Sequence, residues 1–146
     1  MSEKLFNSFY QAVLVKGYTW VAKCIDLETG YGARIYQWLY FRYKSITDRD
    51  TLQLLKKVAP PGTTVIDVGA NIGFFTLQAC RLPQLHVIAF EPGPKNYQNL
   101  QKNITKAGYA EIATAFPIAL SSHSGSGHLY LSTLAPTDHK IIGSDT

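Results

Sequence analysis

The clearest pattern of hydrophobic and polar positions in the chain covers residues 65–80. Residues 65–68 form a short, mostly β-branched run behind a proline-glycine turn at residues 60–62, which predicts a buried strand. Residues 69–73 read G-A-N-I-G, a turn of mostly small residues, and apolar side chains then recur at helical spacing. The pattern predicts a strand, a tight turn and a helix.

The residues that follow repeat this alternation. Residues 86–91 predict a second strand, in which residues 87–90 are all apolar and an acid follows, a pattern typical of parallel strands covered on both faces. Residues 94–107 carry an apolar stripe at helical spacing. Residues 112–120 predict a third strand, and Pro117 favours a sheet edge because proline donates no ladder hydrogen bond. Strands that alternate with helices predict an α/β fold with a parallel sheet.

Residues 1–58 are predicted to form a separate, aromatic and basic helical segment ahead of a domain over residues 59–146. Residues 4–28 are mostly helix-compatible, and residues 33–46 carry tyrosine, tryptophan and leucine at helical spacing beside basic residues. Residues 47–50 resemble a capping box. Two interpretations of residues 33–46 remain open. The first, which we favour, is a helical cap packed on the sheet domain. The second is a face that binds a small-molecule acceptor or a membrane surface.

Charge and composition narrow the class of protein. The length of 146 residues suits one domain, and a hydrophobic share of 46% is enough for a packed core. The net charge of +4 comes entirely from residues 1–58, which hold nine Lys or Arg against five Asp or Glu. The basic residues are scattered singly and no RNA-binding signature occurs, so we expect no nucleic-acid partner.

Cysteine, histidine and apolar-run patterns predict neither a metal site nor a membrane span. Cys24 and Cys80 have no metal-ligand spacing, and the four histidines form no helical i, i+4 pair. No uncharged apolar run reaches the roughly 18 residues that a transmembrane helix needs. Residues 5–15 lack a signal-peptide cleavage site. We therefore expect a cytoplasmic protein with reduced thiols.

The turn at residues 69–73 is the predicted ligand site, because free N–H groups and the helix dipole point at a strand-to-helix junction. Gly69 and Gly73 permit close approach of the backbone. Asn71 stands where a third glycine often occurs and tolerates left-handed dihedrals. The turn can therefore keep a glycine-like path.

Three nucleotide-binding signatures compete for this turn. A P-loop is excluded because no lysine follows Gly73. The dinucleotide fingerprint G-x-G-x-x-G lacks glycine at positions 71 and 74, where Asn71 and Phe74 stand. The pattern D-x-G-x-x-x-G remains, with Glu91 at the end of the next strand, which is typical of a site for S-adenosylmethionine (SAM).

Three stretches in this order resemble the FkbM-type methyltransferase family: VIDVGANIGFFT, VIAFEPGPKNYQNLQKNI and PIALSSHSGSG. The resemblance runs from about residue 64 to residue 140. It implies a Rossmann-like class I methyltransferase sheet with helices on both faces, and SAM as the cofactor. It also implies O-methylation of a hydroxyl on a sugar, polyketide or related metabolite, so the expected partner is a small-molecule or glycan acceptor.

The resemblance implies cofactor contacts for eight residues: Asp67, Gly69, Ala70, Asn71, Gly73, Glu91, Ala119 and Leu120. Asp67 would hold the ammonium of the methionine end, directly or by water, and the glycine turn would face the cofactor backbone. Glu91 would accept hydrogen bonds from both ribose hydroxyls, or alternatively only cap the next helix. Ala119 and Leu120 would lie near the adenine.

The family's fourth core strand has no counterpart among these residues, so we expect the chain to hold the first half of the domain. Residues 65–68 would then form an open apolar edge that invites oligomerisation. No catalytic residue is assigned, and His139 beside Asp138 is the nearest candidate for a general base. The alternatives are a truncated, non-catalytic SAM-binding fragment and a nucleotide-binding dehydrogenase domain.

Overall fold

A computed structural model describes residues 30–130 and 140–143. The predictions made for residues 4–28, for Cys24 and for the Asp138-His139 pair fall outside these residues. The chain forms two compact units, residues 1–49 and residues 50–146.

Helix α1 (Gly30–Thr47) belongs to the first unit and confirms the helix predicted for residues 33–46. Its sequence contains no acidic residue, and Lys44 near its end forms an ion pair with Asp48. The hydroxyl of Thr47 donates a hydrogen bond back to the Tyr43 carbonyl at 3.1 Å, not forward into a capping box as predicted. Trp38 exposes 62% of its surface.

The second unit alternates strands and helices, as the hydrophobic pattern predicts. Its elements are α2 (Arg49–Val58, which begins one residue before the unit), β1 (Thr64–Val68), α3 (Phe74–Cys80), β2 (His86–Phe90), α4 (Pro94–Lys106), β3 (Ala113–Phe116), β4 (Gly127–Tyr130) and β5 (Lys140–Gly143). β1, β2 and β3 pair in that order into a parallel sheet, and β4 pairs with β5 antiparallel. The chain is an α/β protein with a Rossmann-like arrangement of parallel strands flanked by helices.

The third strand differs in length from its prediction. β3 ends at Phe116, directly before Pro117, and does not continue to residue 120. Proline lacks the N–H that the ladder would need next, so the pairing stops there. Within the described residues β3 lies at one edge of the parallel sheet and β1 at the other.

The core lies on one face of the parallel sheet, under α3 and α4. Val87, Ala89 and Leu100 are almost fully buried there. The side chains that alternate with them point to the opposite face, where Val68 is 60% exposed. The rings of Phe90 and Phe116 stack on that face with their centroids 5.5 Å apart. Val68 and Phe90, the last residues of β1 and β2, therefore lie on the less buried face of the sheet.

Candidate functional site

The turn after β1 is tied to the end of β2. The N–H groups of Gly69 and Ala70 both donate to the Phe90 carbonyl at 2.9 Å, and the Gly73 N–H donates to the Ala70 carbonyl at 2.8 Å. Val68 and Phe90 are direct partners in the parallel register. The carboxyl ends of both strands therefore meet at one place, which is where ligands of open α/β sheets bind.

Asn71 confirms the predicted glycine-like path of the turn. Its φ is +53°, in the left-handed region. Its side-chain oxygen accepts a hydrogen bond from the Ile72 N–H at 2.7 Å. Such local bonds to the backbone explain why asparagine tolerates this conformation better than most residues.

Glycine is favoured at position 73 by the left-handed backbone and by a close contact inside the protein. Its φ is +94°, and a Cβ placed there would lie 2.7 Å from Cδ1 of Leu100. Gly69 differs: its φ is +75°, but an added Cβ would meet no protein atom within 4 Å. Of the two glycines, Gly69 is the one beside open space.

Glu91 is almost fully buried, with 5% of its surface exposed. One carboxylate oxygen accepts from the Asn71 N–H at 2.8 Å, and the other accepts from the Gly93 N–H at 2.8 Å. The bond to Gly93 joins Glu91 to the N–H of the N-cap residue of α4, so the carboxylate contacts the residue before the helix and Glu91 is not itself the N-cap. The carboxylate also reaches back to the glycine turn, which the sequence pattern did not indicate.

Asp67 is half-buried on the strand behind the turn. Its carboxylate accepts a hydrogen bond from the hydroxyl of the fully buried Thr76 at 2.6 Å. Desolvation raises the pKa of Asp67 above 3.8, and the negative charge of Glu91 acts in the same direction. The hydrogen bonds from Thr76 oppose this shift of the pKa.

A cleft of about 220 Å³ opens at these strand ends. Five of the eight predicted site residues line it: Gly69, Asn71, Glu91, Ala119 and Leu120. The other three, Asp67, Ala70 and Gly73, do not line it. Ala70 and Gly73 instead hold the turn in place, and Asp67 bonds to Thr76.

The described residues contain no group of His, Cys, Asp and Glu side chains that could hold a metal ion. Cys80 is buried in α3, and desolvation raises the pKa of its thiol to about 11. No helix in the described part of the chain combines the length and apolar character needed to cross a bilayer.

Comparison with profiles of known protein families finds no match. Among curated proteins, the chain is 37% identical over 67 residues to methyltransferase sdnD of Sordaria araneosa and 41% identical over 46 residues to methyltransferase 1 of Beauveria bassiana. These relatives support a methyltransferase family. The chain is also 45% identical over 65 residues to the AMB antimetabolite synthetase AmbE of Pseudomonas aeruginosa.

These matches cover parts of both partners. They use 45%, 31% and 44% of this chain and 26%, 18% and 3% of the sdnD, Beauveria and AmbE proteins. Among solved structures, a putative rRNA-methylase from Clostridium thermocellum matches 48% of the chain with a TM-score of 0.46 and 21% identity. A putative transferase from Pyrococcus horikoshii matches 47% of the chain with a TM-score of 0.43 and 28% identity.

The cleft also contains residues that the sequence pattern did not single out: Val68, Phe90, Pro92, Asn96, Ile118 and Leu129. Val68, Phe90 and Pro92 lie at or just after the ends of β1 and β2, so the rule for open α/β sheets could have found them. Ile118 comes two residues after β3 ends at Phe116, and Leu129 comes from β4. Only the tertiary structure brings these two to the cleft.

Proposed function

We propose that this chain carries the cofactor site of a SAM-dependent methyltransferase. One observation supports the proposal. A left-handed, glycine-rich turn after β1 and a buried acid after β2 line the same cleft. The methyltransferase relatives point the same way. An anion of fixed geometry beside a glycine turn suits a ligand with vicinal hydroxyls.

The residues at the cleft fit the parts of SAM. A carboxylate offers about four acceptor sites, and two of those on Glu91 are used by N–H groups, so two remain for the ribose hydroxyls. Gly69 leaves its side of the cleft free of a side chain. Ala119 and Leu120 offer apolar surface for the adenine. The volume of about 220 Å³ is below the roughly 300 to 1,000 Å³ of most ligand pockets, so these residues would enclose only part of the cofactor.

Asp67 would act on the methionine end through water. It does not line the cleft, and one of its oxygens accepts from Thr76. Its negative charge would still favour the cofactor's ammonium at short range. Thr76 would hold the carboxylate in one orientation for this purpose.

When bound, SAM supplies an electrophilic methyl group on a sulfonium, and its leaving group is a neutral thioether. The chemical demand on the protein is therefore alignment of donor and acceptor. In this chain the glycine turn and Glu91 would fix the position of the cofactor. No residue of the described part is assigned as the base that removes the acceptor's proton.

We propose that the enzyme is of the FkbM type and methylates a hydroxyl on a sugar, polyketide or related metabolite. The three sequence stretches that follow the family's order support this assignment. For residues 33–46 we keep both interpretations: the helical cap that the sequence favours, and a face that contacts the acceptor or a membrane surface. The second is supported by α1, which combines basic side chains with the exposed Trp38 and contains no acid. Cosedimentation with anionic vesicles, compared for the chain and a Trp38→Ala variant, tests the membrane contact.

Calorimetry of the 146-residue chain with SAM, S-adenosylhomocysteine and NADH tests the proposed function. We expect both sulfur compounds to bind and NADH not to bind. Binding of NADH, with no binding of SAM or S-adenosylhomocysteine, would instead favour a dehydrogenase domain. A radiolabelled-methyl assay on sugar and polyketide hydroxyls then separates an enzyme from a protein that binds SAM without turnover.

A further inference from the structure

A buried hydrogen bond links α4 to the glycine turn, and its donor residue does not line the cleft. The side-chain nitrogen of Asn103 donates to the Ile72 carbonyl at 2.8 Å, across 31 residues of sequence. Asn103 is 7% exposed and Ile72 is 6% exposed. A hydrogen bond between buried groups is costly to lose, because the remaining carbonyl stays unsatisfied away from water.

The Ile72 residue is held at both of its polar backbone groups. The Asn71 side chain accepts from its N–H, and the Asn103 side chain donates to its carbonyl. Ile72 adjoins Asn71, whose own N–H points at Glu91. The Ile72 carbonyl lies two peptide units after the Asn71 N–H, so a displacement of this carbonyl can be transmitted along the short turn to the N–H that Glu91 binds.

Leu100 fixes the same turn by packing. It lies one helical turn before Asn103, is completely buried, and closes the space at Gly73 where a Cβ would stand. Residues three apart lie on one face of a helix, so α4 presents both a polar and an apolar contact to the turn. Two contacts from one rigid helix leave the turn little freedom.

We infer that Asn103 is a positioning residue of the proposed cofactor site. It does not line the cleft, and it acts through the Ile72 peptide to keep the turn open at Gly69 and aimed at Glu91. This inference rests on the proposed function for its link to SAM. Its claim about the turn stands on the hydrogen bond itself.

The test is Asn103→Asp, which keeps the side chain's size and replaces the donor nitrogen with an oxygen that repels the Ile72 carbonyl. Asn99→Asp, a chemically identical change at a half-buried position of the same helix, is the matched control. Amide hydrogen exchange at Asn71 and Gly73 reports the turn without any ligand. We expect exchange there to rise about tenfold, the change that corresponds to roughly 1.4 kcal/mol.

SAM affinity, measured by calorimetry well below the melting temperature, should fall about five- to tenfold in Asn103→Asp and stay unchanged in Asn99→Asp. If the role of Asn103 is purely structural, Asn103→Asp should have a lower melting temperature, but the folded variant should bind SAM as tightly as the wild type. If Asn103→Asp does not fold, Asn103→Ala removes the donor without adding repulsion and is measured in the same way.

Unchanged exchange at Asn71 and Gly73 in a folded variant overturns the inference. Faster exchange with unchanged SAM affinity overturns the link between the turn and the cofactor. If the wild-type chain binds no SAM, the proposed function is wrong. The exchange data alone then decide whether Asn103 holds the turn.

Discussion

The backbone N–H of Asn71 donates a hydrogen bond to the Glu91 carboxylate at 2.8 Å, across 20 residues of sequence. The second carboxylate oxygen accepts from Gly93 at the same distance. One buried side chain therefore joins the loop after β1 to the loop after β2. Because these loops form two sides of the cleft, the shape of the site depends on Glu91 even before any ligand binds.

Replacing Glu91 should weaken cofactor binding strongly. Charge-assisted hydrogen bonds contribute roughly 1.5 to 3 kcal/mol, so we expect Glu91→Ala to lower the affinity for S-adenosylhomocysteine about ten- to a hundredfold in calorimetry. Stability should fall as well, because the N–H groups of Asn71 and Gly93 lose their acceptor. Thermal melting measures this second effect.

A 2′-deoxy analogue of S-adenosylhomocysteine separates the two roles of Glu91. If Glu91 binds the ribose, deleting the 2′-hydroxyl should cost the wild type several-fold in affinity and cost a Glu91→Gln variant less. Equal losses in both proteins would leave Glu91 only its bonds to the two loops.

A side chain at Gly69 should block the ligand. Gly69 and Gly62 both have positive φ, and an added Cβ at either position meets no protein atom within 4 Å, so Gly62 is a matched control. Alanine at each should cost a similar amount of stability, about 1 kcal/mol, because both positions are left-handed. Only Gly69 lines the cleft, so only Gly69→Ala, and more so Gly69→Val, should reduce SAM binding. Unchanged affinity in a folded Gly69→Val protein would contradict the assigned site.

The raised pKa of Asp67 predicts a pH-dependent stability. Partial burial favours the neutral acid, so the folded state holds this proton more tightly than the unfolded state. The contribution to the free energy of unfolding is full below a pH near 3.8 and is lost as the pH rises through the raised pKa of the folded state. We therefore expect Asp67→Asn to gain stability relative to the wild type as the pH increases. Urea unfolding at several pH values measures the difference.

Thr76→Val provides the comparison for Asp67. The Thr76 hydroxyl lowers the pKa of Asp67, and valine has nearly the same shape without the donor. The loss of stability with rising pH should therefore grow in Thr76→Val and extend to higher pH. A profile that is identical in Thr76→Val and wild type would show that the hydrogen bond does not control the charge of Asp67.

The exposed face of β1 should promote association between copies of the chain. Ile66 is 60% exposed on an edge strand of the described sheet, and unpaired apolar edges invite pairing. We expect the apparent mass in size-exclusion chromatography with light scattering to rise with concentration, and Ile66→Thr to reduce this rise. Leu54→Thr, at an exposed leucine of α2, is the control. If both substitutions reduce the rise equally, the association is non-specific and hydrophobic and does not depend on β1.

The local architecture follows from short stretches of the sequence. The β-branched run before Gly69, the left-handed path at Asn71 and the helix after Gly73 follow from steric and hydrogen-bonding preferences that act over a few residues. Proline at position 117 likewise explains the end of β3, although the pattern alone extended the strand too far. The acid at the end of the second strand was placed at the cleft because the carboxyl ends of parallel strands share one edge.

The contacts that hold the cleft, and the set of side chains that reach it, depend on long-range packing. The bond from Glu91 to Asn71, the contact of Leu100 at Gly73 and the bond from Asn103 to Ile72 join residues that are far apart in sequence. These pairs depend on strand register and on how α4 packs against the turn. A periodic pattern marks a residue as buried but does not say which distant group it will meet, because that choice is made when the whole core packs together.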